Sequence, residues 1–332
     1  SRRSSVLESR SKNLVNPYPK SIHADGIPIP DLAFDLGPNR KLEASDFNFR
    51  QLSNLLDRAS DPVFHSNDVA SSQGMFAASF IKTVPGQAKD ITRPKADQSG
   101  FRIGRLNLRQ VEPRNTPTVI NAVFFHRGFF DGRAQNDFNG VNNWGNRDPD
   151  AKVLKVGAPG QLEWVKISLD NASLASQAVA PPISSVEMSA SGRTFPDVGS
   201  KLLTMSPLAM QQVSASDSVL GQYSKFPRPG LKIRAYADLV KAAFLPQWWS
   251  SSKRVMRNAG GTLMAIDSRH APENSYSMME YNFSLFFGLA VQLYEATLVA
   301  DQTPYDQFAL GDTTAISEAA VRGVDLFRSQ TR

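Results

Sequence analysis

None of the 332 residues is a cysteine. The chain therefore holds no disulfide, and whatever it folds into must be kept together by buried apolar surface and hydrogen bonds. The same absence excludes iron–sulfur clusters, zinc–thiolate sites, a cysteine nucleophile and the C-x-x-C-H motif that attaches haem c. Hydrophobic residues make up 41% and charged residues 20%, so a sizeable core is within reach. The length exceeds one typical domain and fits about two. The net charge of +6 favours acidic partners. No run of five Lys/Arg occurs and the aromatics are scattered, so nucleic-acid binding is not indicated.

The first 45 residues are polar and carry Pro17, Pro19, Pro28, Pro30 and Pro38, which reads as extended chain. Phe49, Leu52, Leu55 and Leu56 have helical spacing and predict a helix over 46–58. Residues 60–115 read as loops with short extended pieces such as FAASFIKTV. Thr116 as N-cap and Pro117 as first residue predict a buried helix over 116–130. The Asn/Asp/Gly-rich 135–160 segment reads as a loop insertion. Further helices are predicted at 171–179, about 197–213 and about 235–245. A Gly-Gly, His and Pro composition at 257–275 reads as a loop and places the domain boundary there.

Ser277-x-x-Glu280 is a capping box, and it opens the best helix in the chain. Phe283, Phe286, Phe287, Ala290, Leu293, Tyr294, Thr297 and Leu298 share one broad face. The apolar stretch from Phe283 to Ala300 is interrupted by Gln292 and Glu295, so a buried helix is expected and no transmembrane segment. Thr303-Pro304 starts a short helix. A last one covers 314–329, with Ile316, Ala319, Ala320, Gly323, Leu326 and Phe327 expected inward. The chain opens on Ser1 without a signal-peptide pattern, which fits a processed form or a piece of something longer.

Three segments in order resemble the bacterial di-haem cytochrome c peroxidases. The first is Arg114-Asn115-Thr116-Pro117-Thr118-Val119-Ile120-Asn121, followed by Phe129-Phe130-Asp131-Gly132-Arg133-Ala134. The second is Ser173-Leu174-Ala175-Ser176-Gln177-Ala178-Val179-Ala180-Pro181 with Val186-Glu187-Met188. The third joins Tyr294-Glu295-Ala296-Thr297-Leu298, Thr303-Pro304-Tyr305-Asp306-Gln307-Phe308 and Arg322-Gly323-Val324-Asp325-Leu326-Phe327. The resemblance implies a mainly α fold of cytochrome c-like domains with long irregular loops. A peroxidatic-type domain is expected over 1–275, and the beginning of a second over 276–332. It implies a peroxidase-like oxidoreductase or electron-transfer protein that acts on peroxide with an external, acidic electron donor, in the periplasm or outside the cell, with haem c and calcium. Glu187 then corresponds to the acid/base group and Gln177 to the residue that orients peroxide. Pro181 shapes the haem pocket, Phe130 stands between the haems where a tryptophan is frequent, and Asn115 is a calcium ligand.

The stretch where the first haem attachment motif is expected, Ser72–Phe80, has neither cysteine nor histidine. The second motif would follow the 314–329 helix. Two accounts fit: a segment of a longer haem protein, or a relative that has become a haem-free scaffold or interaction subunit of a larger assembly, with an oligomer allowed. The four histidines, His23, His65, His126 and His270, form no zinc-hydrolase spacing. His126 is expected in the core. Asp131 and Arg133 read as a structural ion pair. Trp248-Trp249 reads as core packing, with partner docking as the alternative. No Walker loop, G-x-S-x-G or G-x-G-x-x-G appears.

Overall fold

The computed structural model describes residues 50–329 except 55–56, 58, 66–72, 85, 99–101, 104–105, 108, 112–116, 159–160 and 258–261. Short strands come first: β1 (Arg50–Leu52), β2 (Pro62–His65), β3 (Gln73–Phe76), β4 (Ala78–Lys82), β5 (Ile91–Pro94), β6 (Arg102–Ile103), β7 (Leu106–Asn107) and β8 (Arg109–Val111). After a long loop come β9 (Val153–Val156), β10 (Leu162–Val165), α1 (Ser173–Ala178), α2 (Phe195–Leu202) and α3 (Tyr236–Ala243). The strands β11 (Lys253–Arg257), β12 (Leu263–Asp267) and β13 (Tyr276–Ser277) lead into α4 (Met278–Tyr281), α5 (Phe283–Glu295), α6 (Pro304–Ala309) and α7 (Glu318–Ser329).

This corrects the expectation of a mainly α fold. Among the described residues seven α-helices stand beside thirteen strands of two to five residues. The strands pair antiparallel in small ribbons and one three-stranded sheet, β12-β11-β13. Four local misreadings account for the difference, the first being the 135–160 segment, expected as a loop insertion, which contains β9 in its hairpin with β10. The helix expected over 46–58 is in part β1, which pairs with β2 across a turn closed by Ser53 N–H donating to Asp61 O at 2.9 Å. The segment 257–275, read as loop, contains β12 and joins it to β11; two apolar runs flanking Gly260-Gly261 are a hairpin signal that was there to be used. The helix expected over 116–130 is a single 3-10 turn, Ala122–Phe124, with Asn121 and Phe129 at φ 60°. Tertiary hydrogen bonds hold it: Asn121 N–H donates to Leu298 O, and Asn121 Oδ1 accepts from Ala300 N–H.

The helices read from caps and breakers fare better. α1 lies inside 171–179, and α3 inside 235–245. Ser277 and Glu280 form the capping box of α4, and Thr303 with Asp306 that of α6. α2 starts two residues early, with Thr194 and Asp197 as its own box, and ends well before Pro207.

The main core joins the middle of the chain to its last third. Phe138, Val153, Ala175 and Val179 pack with Phe195 and Val198 of α2 and with Phe283, Leu285 and Phe286 of α5. Trp248 and Trp249 pack against this core, and Trp249 Nε1–H donates to Phe244 O at 2.8 Å, so the pair is core packing rather than a free patch. A smaller cluster, Leu154, Val255 and Met278, ties β9, β11 and α4. The position 275/276, where a domain boundary is expected, leads directly into β13, which bonds back to β11. α6 and α7 contribute no buried residue, and the residues expected to face inward on α7 do not: Phe327 is 75% exposed. Among the described residues no helix is long and apolar enough to cross a membrane.

Candidate functional site

α1 and the turn after it carry two of the expected site residues, Gln177 and Pro181, and the loop beyond carries Glu187. α1 begins at Ala172, which has no side chain able to cap it. Gln292 of α5 does that work from across the interface: its Oε1 accepts from Ala175 N–H at 3.0 Å, and its Nε2 donates to Asn171 O at 3.0 Å. An orphan N–H of a helix start is thus satisfied by tertiary structure. Pro181 opens the 3-10 turn Pro181–Ile183 and stops α1.

Gln177 is half-buried and lies on the backbone of Gly128; a Cβ built there would stand 2.3 Å from Gln177 Oε1. It therefore faces the 126–130 segment, where Phe130 is 85% exposed. His126, expected in the core, is exposed on the same segment. Its neighbours Phe124 and Phe125 are exposed as well. Asp131 and Arg133 form the anticipated ion pair at 3.0 Å, with the guanidinium 4.1 Å from the centre of the Phe129 ring. Asn115 lies outside the described residues.

Glu187 faces a different neighbour. Its backbone N–H donates to Ser184 Oγ at 3.3 Å. β3 runs directly behind it: Met75 N–H donates to Val186 O at 3.0 Å, and a Cβ on Gly74 would stand 1.7 Å from that carbonyl oxygen and 3.0 Å from Glu187 Cα. Only glycine lets the two backbones approach this closely. β4 continues the seam. Ser191 N–H donates to Ala78 O at 2.8 Å, Phe80 N–H donates to Ser191 O at 2.9 Å, and Ser79 bridges Ser191 in parallel. The guanidinium of Arg193, paired with Asp90 at 3.3 Å, sits over the Phe80 ring. Asp90 also takes Lys201 Nζ at 2.9 Å, which pins the β4–β5 ribbon to α2.

The residues described at this wall do not fit a haem. The segment that would carry the attachment cysteines and the iron-ligating histidine has none of them. Instead it forms strands that are hydrogen-bonded onto the loop 184–191. The cavity left beside the seam, lined by Ala78, Asp97, Gln110, Ser185 and Ser191 among others, is about 130 Å³. Pockets for drug-sized ligands run from about 300 to 1,000 Å³, and a porphyrin is no smaller than such ligands. Among the described residues no group of three or more His, Asp or Glu is placed to hold a metal ion. The sequence marked FAASFIKTV, which contains β4, as extended, but did not show that β3 and β4 lie against the Glu187 loop. The signal for that contact was Gly74 between extended residues, a mark of close backbone approach.

No curated protein and no solved structure matches the chain. A scan against protein families matches residues 87–314 to the family described as di-haem cytochrome c peroxidase. This match spans more than half of the chain and takes in α1, the Glu187 loop and α5, so the chain belongs to that family of haem-dependent, peroxidase-like oxidoreductases.

Proposed function

We propose that this chain serves a peroxidase-family oxidoreductase as a haem-free scaffold. Its core holds the 119–134 segment and α5 in a fixed relation. Exposed aromatics, Phe124, Phe125 and Phe130, and Tyr294 on α5, are then offered to a redox-active part carried elsewhere. The observation behind this reading is the seam of β3 and β4 on residues 184–191, where a haem face would have to lie. α6 and α7, which bury nothing, are the part of 276–332 that would lead on into a second cytochrome c-like domain. The net charge of +6 suits an acidic partner, and the family's setting suggests the periplasm.

A haem assay in alkaline pyridine, on protein made in a host that matures c-type cytochromes, is expected to find no stoichiometric haem on the chain. One haem per chain would overturn the scaffold reading.

A second reading has one observation in its favour. Gln177, Pro181 and Glu187 keep the family's order along α1, the 181–183 turn and the loop that follows it. In it the chain handles peroxide, with Glu187 moving the proton, and calcium at Asn115 goes with it. Peroxide consumption by the purified chain that disappears in Glu187→Gln would favour this reading. No consumption by either protein leaves the scaffold.

A further inference from the structure

Between α2 and α3 the chain builds a closed loop that neither reading uses. Ser224 and Leu231 are bridged, and Leu231 is buried, so the loop's base is anchored. Four hydrogen bonds set its tip. Lys225 N–H donates to Gly230 O at 3.3 Å, Arg228 N–H to Lys225 O at 2.9 Å and Gly230 N–H to Gln211 O at 2.9 Å. The Gln212 amide donates to Pro227 O at 2.7 Å. Gly230 adopts φ +92°, which permits the sharp return.

This tip borders an open cleft of about 710 Å³, within the size range of small-molecule sites. Lys225, Arg228 and Lys232 line it, with Phe226, Pro229 and Ser224, and no acidic side chain does. None of the three cations has an ion-pair partner among the described residues. Phe226 is 57% exposed on the same wall. One exposed cation gains little from one anion in water. Three on one tethered loop select a multiply charged ligand, because the anchored backbone keeps their attachment points together and only the side chains remain to be ordered on binding. Guanidinium matches phosphate oxygens with two parallel hydrogen bonds, and ammonium groups add point charges. An exposed ring beside them favours a flat partner in offset stacking.

We propose that this cleft binds a small phosphorylated molecule with a planar ring, its phosphates between Lys225, Arg228 and Lys232 and its ring on Phe226. Calorimetric titration of the full chain with adenosine diphosphate, inorganic pyrophosphate and adenosine tests it. Adenosine diphosphate is expected to bind, pyrophosphate to bind more weakly, and adenosine not at all. Raising salt from 20 mM to about 0.3 M is expected to weaken binding by about tenfold or more. Arg228→Gln is expected to cost about tenfold for both phosphates. Phe226→Leu should weaken only the diphosphate, and both variants should keep the parent's melting temperature, since their side chains are exposed. No binding of either phosphate at millimolar concentration, or equal binding by Arg228→Gln, overturns the proposal. Tighter binding of an acidic peptide such as hexaglutamate than of adenosine diphosphate overturns it in favour of an acidic protein partner.

Discussion

Asn282 is fully buried, yet every polar atom of its side chain is used. Oδ1 accepts from Leu154 N–H, and Nδ2 donates to Leu154 O and Trp248 O, all at 2.8 Å. A buried amide this well satisfied ties β9, the 246–248 turn and the α4–α5 junction into one arrangement. Tyr276 does comparable work at the edge of the core. Its hydroxyl donates to Asp197 Oδ1 at 2.5 Å, and Asp197 also holds Thr194 as the cap of α2. Burial first, and then the bond to this carboxylate, push the Tyr276 hydroxyl well above the ordinary tyrosine value of 10.0. The folded state thus binds the proton more tightly than the unfolded state. Its contribution to stability is complete below pH 10 and is lost as the pH climbs through and beyond that value. Urea unfolding between pH 8 and 11 is expected to show stability falling at the alkaline end. Tyr276→Phe should flatten that fall while lowering stability at pH 8 by about 1–3 kcal/mol, as for a hydrogen bond to a charged group. An unchanged alkaline slope in the variant would assign the fall to other groups.

Among the elements, the crossing of α1 over α5 depends on a missing side chain. A Cβ on Gly288 would stand 2.8 Å from Phe138 Cζ and 3.0 Å from Ala175 O, and Phe138 is fully buried with nowhere to move. Gly288→Ala raises helix propensity by about 1 kcal/mol, but overpacking a tight core costs about 1–3 kcal/mol. A net loss is expected in chemical denaturation, whereas a gain would mean that the two helices separate easily. The elements legible in sequence were those with local punctuation: Pro181 after α1, the Ser277–Glu280 and Thr303–Asp306 boxes, and the apolar face of α5. Those misread had their local pattern overruled from a distance. The 116–130 segment has a helical N-cap pattern, but Asn121 is captured by the segment that follows α5 and Gly128 is held under Gln177. α7 has an apolar stripe of which no residue is buried within the described residues, because periodicity marks a face and does not supply its partner.

For the whole molecule, the core decides what can be removed. Met279, Phe283, Leu285 and Phe286 lie in the same buried cluster as Phe138, Ala175 and Phe195. A chain cut after residue 275 would lose them and expose their apolar contacts. It is expected to lack a cooperative thermal transition and near-ultraviolet circular dichroism, where a folded 1–275 fragment would show both. The composition alone determined that no thioether haem, disulfide or thiolate metal site belongs to this chain, because those need sulfur atoms it does not have. Ordered motifs likewise determined its family, because such motifs survive in the local chain. Only the tertiary structure decided that β3 and β4 lie against the Glu187 loop and that the aromatics of 124–130 face outward. Backbone pairing between residues more than a hundred positions apart leaves no trace in local periodicity; it becomes visible when the chain is folded and Gly74 meets Val186.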